Sequence, residues 1–177
     1  MTIADLKMQI KQRQLDSLYI FTGPEYEVQK LYLAQMARCK FDGLKRVDDV
    51  PDVLALLKRG SGLFADTAER IIVVRVNTSE ELEMVIKIPA EMYKNNTVVV
   101  LADSIDKRTK VYKECSEHIV LFDYLPESVL IDRIRKQCNL SVDNCRRLIE
   151  ICEQDYGRIL LELDKLKNFF EKVEKSA

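Results

Sequence analysis

Leu18-Tyr19-Ile20-Phe21-Thr22-Gly23-Pro24-Glu25-Tyr26-Glu27 is the stretch that decides how this chain folds. An unbroken apolar run without in-and-out alternation reads as a strand buried on both faces, and Thr22-Gly23-Pro24 stops it. Pro24 suits the first position of a helix, where its missing amide hydrogen would have no partner and its φ is already helical. Val28, Leu31, Tyr32, Met36 and Cys39 then recur at helical spacing. A strand passes directly into a helix, the repeating unit of a parallel sheet.

The same grammar continues outward. Upstream, Thr2 to Arg13 reads as an amphipathic helix, with Thr2 and Asp5 spaced as a capping box and Ile3, Leu6 and Ile10 on one face. Downstream lie a weak strand near Lys45-Arg46-Val47 and a helix from about Val50, with Val53, Leu54 and Leu57 inward and a stop at Gly60. A strand follows at Ile71-Ile72-Val73-Val74, then a helix after Ser79 carrying Leu82, Val85 and Ile86 that Pro89 ends. The strongest strand is Thr97 to Leu101; a charged helix from around Lys107 leads to the last one, Ile119-Val120-Leu121-Phe122. Five β-rich runs separated by helices predict an α/β fold, a doubly wound parallel sheet covered on both faces.

Past Tyr124 every periodic segment is helical. Pro126 opens a helix with Leu130, Ile134 and Cys138; Ser141 caps another with Cys145, Leu148, Ile149 and Cys152; a third carries Ile159, Leu163, Leu166 and Phe170. The spacing also allows Arg158 and Glu162 to pair on the surface of that third helix. The expected organisation is an α/β domain over residues 1–124 and a small three-helix domain over 125–177.

Composition bounds the function. Lys and Arg total 28 against 29 Asp and Glu, so binding to nucleic acid or an anionic membrane requires a local patch. With 47% hydrophobic and 32% charged residues, five Gly and four Pro, the chain is globular, neither disordered nor collagenous. The longest apolar stretches, such as Val98 to Ala102, are too short to span a bilayer, and Met1-Thr2-Ile3-Ala4-Asp5 is not the start of a signal peptide. A cytoplasmic location and no membrane partner are expected. Five cysteines, an odd number without a C-x-x-C pair, are expected as free thiols.

Thr22-Gly23-Pro24-Glu25-Tyr26-Glu27 stands where an α/β nucleotide-binding protein places its phosphate loop, yet the loop's chemistry is missing. A phosphate loop needs spaced glycines to aim backbone amides, a lysine to oppose phosphate charge and a hydroxyl for magnesium. This segment has one Gly, a Pro without an amide hydrogen and two acidic residues. No ATPase and no cofactor are expected. His118 is the only histidine, Cys145 and Cys152 fall on an apolar stripe, and the acidic pairs Asp48-Asp49 and Glu80-Glu81 sit at helix starts, so neither a metal site nor an acid–base pair is nominated. The run Lys107-Arg108-Thr109-Lys110 could touch nucleic-acid phosphate, although no aromatic residue interleaves with it and Asp103 and Asp106 flank it. In Gly60-Ser61-Gly62-Leu63-Phe64-Ala65-Asp66, two large apolar residues follow a Gly-rich turn. Two readings are open from the pattern: they tuck into the core, or they project as an anchor for a partner.

These residues resemble a family, the delta subunit of bacterial DNA polymerase III, the clamp-loader component that grips the sliding clamp. Leu18 to Tyr26 is similar to the family's first strand and degenerate phosphate loop; Gly62-Leu63-Phe64-Ala65 followed by Arg70-Ile71-Ile72-Val73-Val74 is similar to its clamp-binding turn and the next strand. Asp106-Lys107-Arg108-Thr109-Lys110 and Asp155-Tyr156-Gly157-Arg158-Ile159-Leu160-Leu161-Glu162-Leu163-Asp164-Lys165 extend the match in order along the chain. The resemblance implies an AAA+-like core without ATPase activity and a three-helix lid. It implies a clamp anchor at Leu63 and Phe64, framed by Gly62 and Ala65, that favours ring opening. The implied partners are the sliding clamp (beta subunit) and the other loader subunits, with DNA contact left to the full complex. Ser61 and Gly62 stand where the family often has a further large apolar residue, and the family's helical collar domain is expected to be absent from these 177 residues. Two alternatives stand beside this reading: a nucleotide-binding enzyme or switch with an unusual phosphate site at Gly23, and a nucleic-acid-binding module using Lys107, Arg108 and Lys110.

Overall fold

A computed structural model describes residues 1–59 and 69–174. Strands β1 (Leu18–Thr22), β2 (Leu44–Val47), β3 (Ile71–Val76), β4 (Thr97–Ala102) and β5 (Ile119–Leu121) form one parallel sheet in the order β2-β3-β4-β1-β5. In register, Ile20 of β1 lies opposite Val100 on one side and Ile119 on the other. Helices α1 (Ile3–Gln12), α2 (Tyr26–Ala37), α3 (Val50–Arg59), α4 (Ser79–Ile86), α5 (Ala90–Tyr93) and α6 (Lys110–Cys115) alternate with the strands, and α7 (Glu127–Gln137), α8 (Val142–Ile151) and α9 (Tyr156–Glu174) follow. The chain divides into two compact units, 1–23 with 28–122 and 24–27 with 123–177. This is the expected α/β fold with a doubly wound parallel sheet and a trailing group of helices.

In the first unit the sheet is covered on both faces. On one, Leu18, Ile20, Ile72, Val74, Val98 and Val100 pack with Val50, Val53 and Leu57 of α3, Leu82 and Val85 of α4, and Cys115 of α6. On the other, Tyr19 donates its hydroxyl to Gln9 Oε1 of α1 at 2.6 Å, and the Phe122 ring lies 4.7 Å from Phe21 and 5.5 Å from Tyr32 of α2. Helix α1 is set by the Thr2–Asp5 capping box, and α4 by a second box between Thr78 and Glu81.

The structure differs from the sequence reading at several places, each for a local reason. Leu31 of α2 is 48% exposed, while Val28, Leu33 and Met36 turn inward with Gln29. Gln29 donates from Nε2 to the Gly23 carbonyl at 3.0 Å, and this bond fixes the rotation of the helix. The helix after β4 begins at Lys110, not near Lys107, because Asp106 Oδ1 accepts from the Arg108 amide at 2.9 Å and Thr109 caps the next turn. A further short helix, α5, brings Tyr93 into the core, where its hydroxyl donates to the Val85 carbonyl at 3.3 Å and burial pushes the phenol's pKa up to about 12.

In the second unit Leu130 and Ile134 of α7, Cys145 and Ile149 of α8, Cys152 just beyond it, and Tyr156, Ile159 and Leu163 of α9 are buried. The Arg133 guanidinium stands 4.8 Å over the Tyr156 ring, a cation–π contact between α7 and α9. The expected Arg158–Glu162 pair does not form. Arg158, in the first turn of α9, reaches back to Glu153 at 2.8 Å and Asp155 at 3.8 Å, while Glu162 accepts from Lys165 at 2.5 Å. All five cysteines are free thiols, and among the described residues no helix is long and apolar enough to cross a membrane.

The packing separates two kinds of residue on α9. Leu163 is wholly buried, so Leu163→Ala is expected to lower the stability of the bundle by about 2 to 5 kcal/mol. Glu162, in an ion pair whose lysine is 69% exposed, should contribute at most about 0.5 kcal/mol. Urea unfolding of the two variants checks both; equal losses would mean that the ion pair carries the helix.

Candidate functional site

Strands β1 and β4 are neighbours, but the helices that leave them cover opposite faces of the sheet. Ligands of open α/β sheets bind at the carboxyl ends of the strands where the connections diverge in this way. Here that position is Thr22-Gly23 on β1 and Ala102-Asp103 beyond β4, with the Thr22 hydroxyl 3.5 Å from the Asp103 carbonyl.

Gly23 closes the turn tightly against β5. Its φ is +111°, a conformation that L side chains avoid, and a Cβ at this position would lie 2.8 Å from the Phe122 carbonyl carbon and press against its oxygen. The Phe122 amide donates to Thr22 O at 2.8 Å, and Gln29 holds the Gly23 carbonyl from the other side. The turn therefore uses its glycine to pack backbone on backbone. That use differs from a phosphate loop, whose glycines leave amides open around an anion.

The next residues belong to the second unit. Glu25 is only 3% exposed, and its Oε1 accepts from the Leu125 amide at 3.2 Å, which holds the segment leading into α7. Burial pushes its carboxyl pKa up; Asp155 adds to that shift and Arg133 opposes it. Glu27 lies so near the start of α9 that a Cβ on Gly157 would come 3.2 Å from its Cγ. An open groove is lined by Glu25, Glu27, Asp155 and Asp164, and Arg158, which also lines it, is engaged by Glu153 and Asp155. Such a lining repels phosphate. Sequence reading placed the acidic residues correctly but missed the burial of Glu25; a carboxylate directly after a turn proline was the available signal.

Two residues of the basic run after β4 are paired locally. Arg108 folds onto Asp106, Nε to Oδ1 at 3.1 Å and the terminal nitrogen to Oδ2 at 3.2 Å, which holds the Asp106 carboxyl below its usual pKa. Lys110 pairs with Glu114 at 3.3 Å, and Lys107 is exposed in the turn before α6. Beside this run Arg75 meets Asp103 at 3.1 Å. Among the described residues no three His, Cys, Asp or Glu converge in a way that would hold a metal ion. The buried thiols of Cys115, Cys145 and Cys152 have pKa values raised by burial, which disfavours the nucleophilic thiolate.

Gly62, Leu63, Phe64 and Ala65 lie outside the described residues. Their place in the chain order is between α3 and β3. The described chain resumes at Glu69, whose amide donates to Asp42 Oδ2 at 2.7 Å while its carbonyl accepts from the Asp42 amide at 3.0 Å.

No family model and no curated protein sequence matches this chain. Among solved structures it is similar to the Bacillus subtilis DNA clamp loader delta protein (YqeN), with a TM-score of 0.58 at 16% sequence identity. The similarity covers 94% of this chain and 57% of that protein, so this chain spans little more than half of its length. The likeness is one of fold.

The environment of Glu25 has a pH consequence. Because its folded-state pKa is raised, the folded protein holds the proton more tightly than the unfolded chain, and stability gains from this group as pH falls through the folded value toward the unfolded one. Glu25→Gln keeps an oxygen for the Leu125 amide and removes the buried charge. It is expected to be at least as stable as the parent at pH 7, with an advantage that shrinks toward pH 5 in thermal melts. An advantage that grows on acidification would reverse this account.

Proposed function

We propose that this chain is a delta-type clamp-loader subunit, or the corresponding part of one, that grips a sliding clamp through Leu63 and Phe64 without hydrolysing ATP itself. The observation that carries the proposal is the coincidence of two independent likenesses. The fold matches a clamp loader delta protein over nearly all of this chain, and the Leu-Phe pair falls in the connection from α3 to β3, where the sequence resemblance places the clamp-binding turn.

In this reading the turn at Gly23 is structural. Its backbone is packed on Phe122, and the carboxylates of Glu25 and Glu27 follow where phosphate oxygens would need positive charge. ATP is then used by partner subunits of the loader, and Lys107, Arg108 and Lys110 would meet DNA, if at all, within that assembly. The chain's own action is a population shift: by binding the relaxed or open ring more tightly than the closed one, it displaces the equilibrium toward opening by that difference in affinity. Location in the cytoplasm and assembly with further loader subunits belong to the same proposal.

Truncation of the anchor tests it. Phe64→Ala is expected to weaken binding to the sliding clamp of the same genome by about 2 kcal/mol or more, roughly thirtyfold, with no change in thermal melting. Titration calorimetry with ATP and magnesium should give no heat of binding. An unchanged clamp affinity in the variant would overturn the anchor, and tight ATP binding would favour the nucleotide-dependent alternative.

A further inference from the structure

We draw no further inference here: the strongest candidate, the acidic groove of the second unit between the Pro24–Glu27 segment and the first turns of α9, carries nothing, because Glu25 is answered by the Leu125 amide, Asp155 by Arg158 and Asp164 by Lys167, and nothing in the structure shows what covers it.

Discussion

Strand β1 is hydrogen-bonded to β4 on one edge and β5 on the other, and its residues from Leu18 to Thr22 are all buried. Neither face nor edge is left for water, so every backbone polar group of the strand must be satisfied by a neighbouring strand and every side chain by a covering helix. The parallel pairing then demands crossovers, and the helices that supply them account for much of the remaining chain.

Where β1 ends, the same constraint decides what the turn can do. Gly23 is pressed on Phe122 because the chain must leave the sheet from between β4 and β5, and Gln29 secures the departure. The backbone amides that a nucleotide site would employ are in a closed turn, and the acidic residues that follow make the groove beside α9 hostile to anions. Glu25, although it is a carboxylate, is placed as an internal fastening: its oxygen takes the Leu125 amide, and burial raises the energy of its charged form.

At the amino-terminal edge of the sheet the connections are joined to one another. Asp42 with Glu69, Gly43 with Ile71, Lys40 with Asn95 and the Arg70 amide with Asn96 Oδ1 at 3.2 Å bind three successive crossings into one rim. Each connection is thereby held by its neighbour as well as by its own strand.

The sequence by itself determined the strands, most of the helices and the two helix caps at Thr2 and Ser141. These follow from unbroken apolar runs, helical spacing and local capping chemistry, all of which act within a few residues. It also showed that the phosphate-loop residues are missing, since that depends on residue type alone. Tertiary structure decided what depends on distant partners: the strand order, the rotation of α2 that leaves Leu31 outside, and the choice of Glu153 over Glu162 by Arg158. The burial of Glu25 belongs to the same class, because its partner Leu125 is 100 residues away. So does the rim at the turn between α2 and β2, whose ties run to Glu69 and Asn95. Pattern in a sequence reports the period of burial along one element; which neighbour answers a given polar group is fixed only when remote segments pack together.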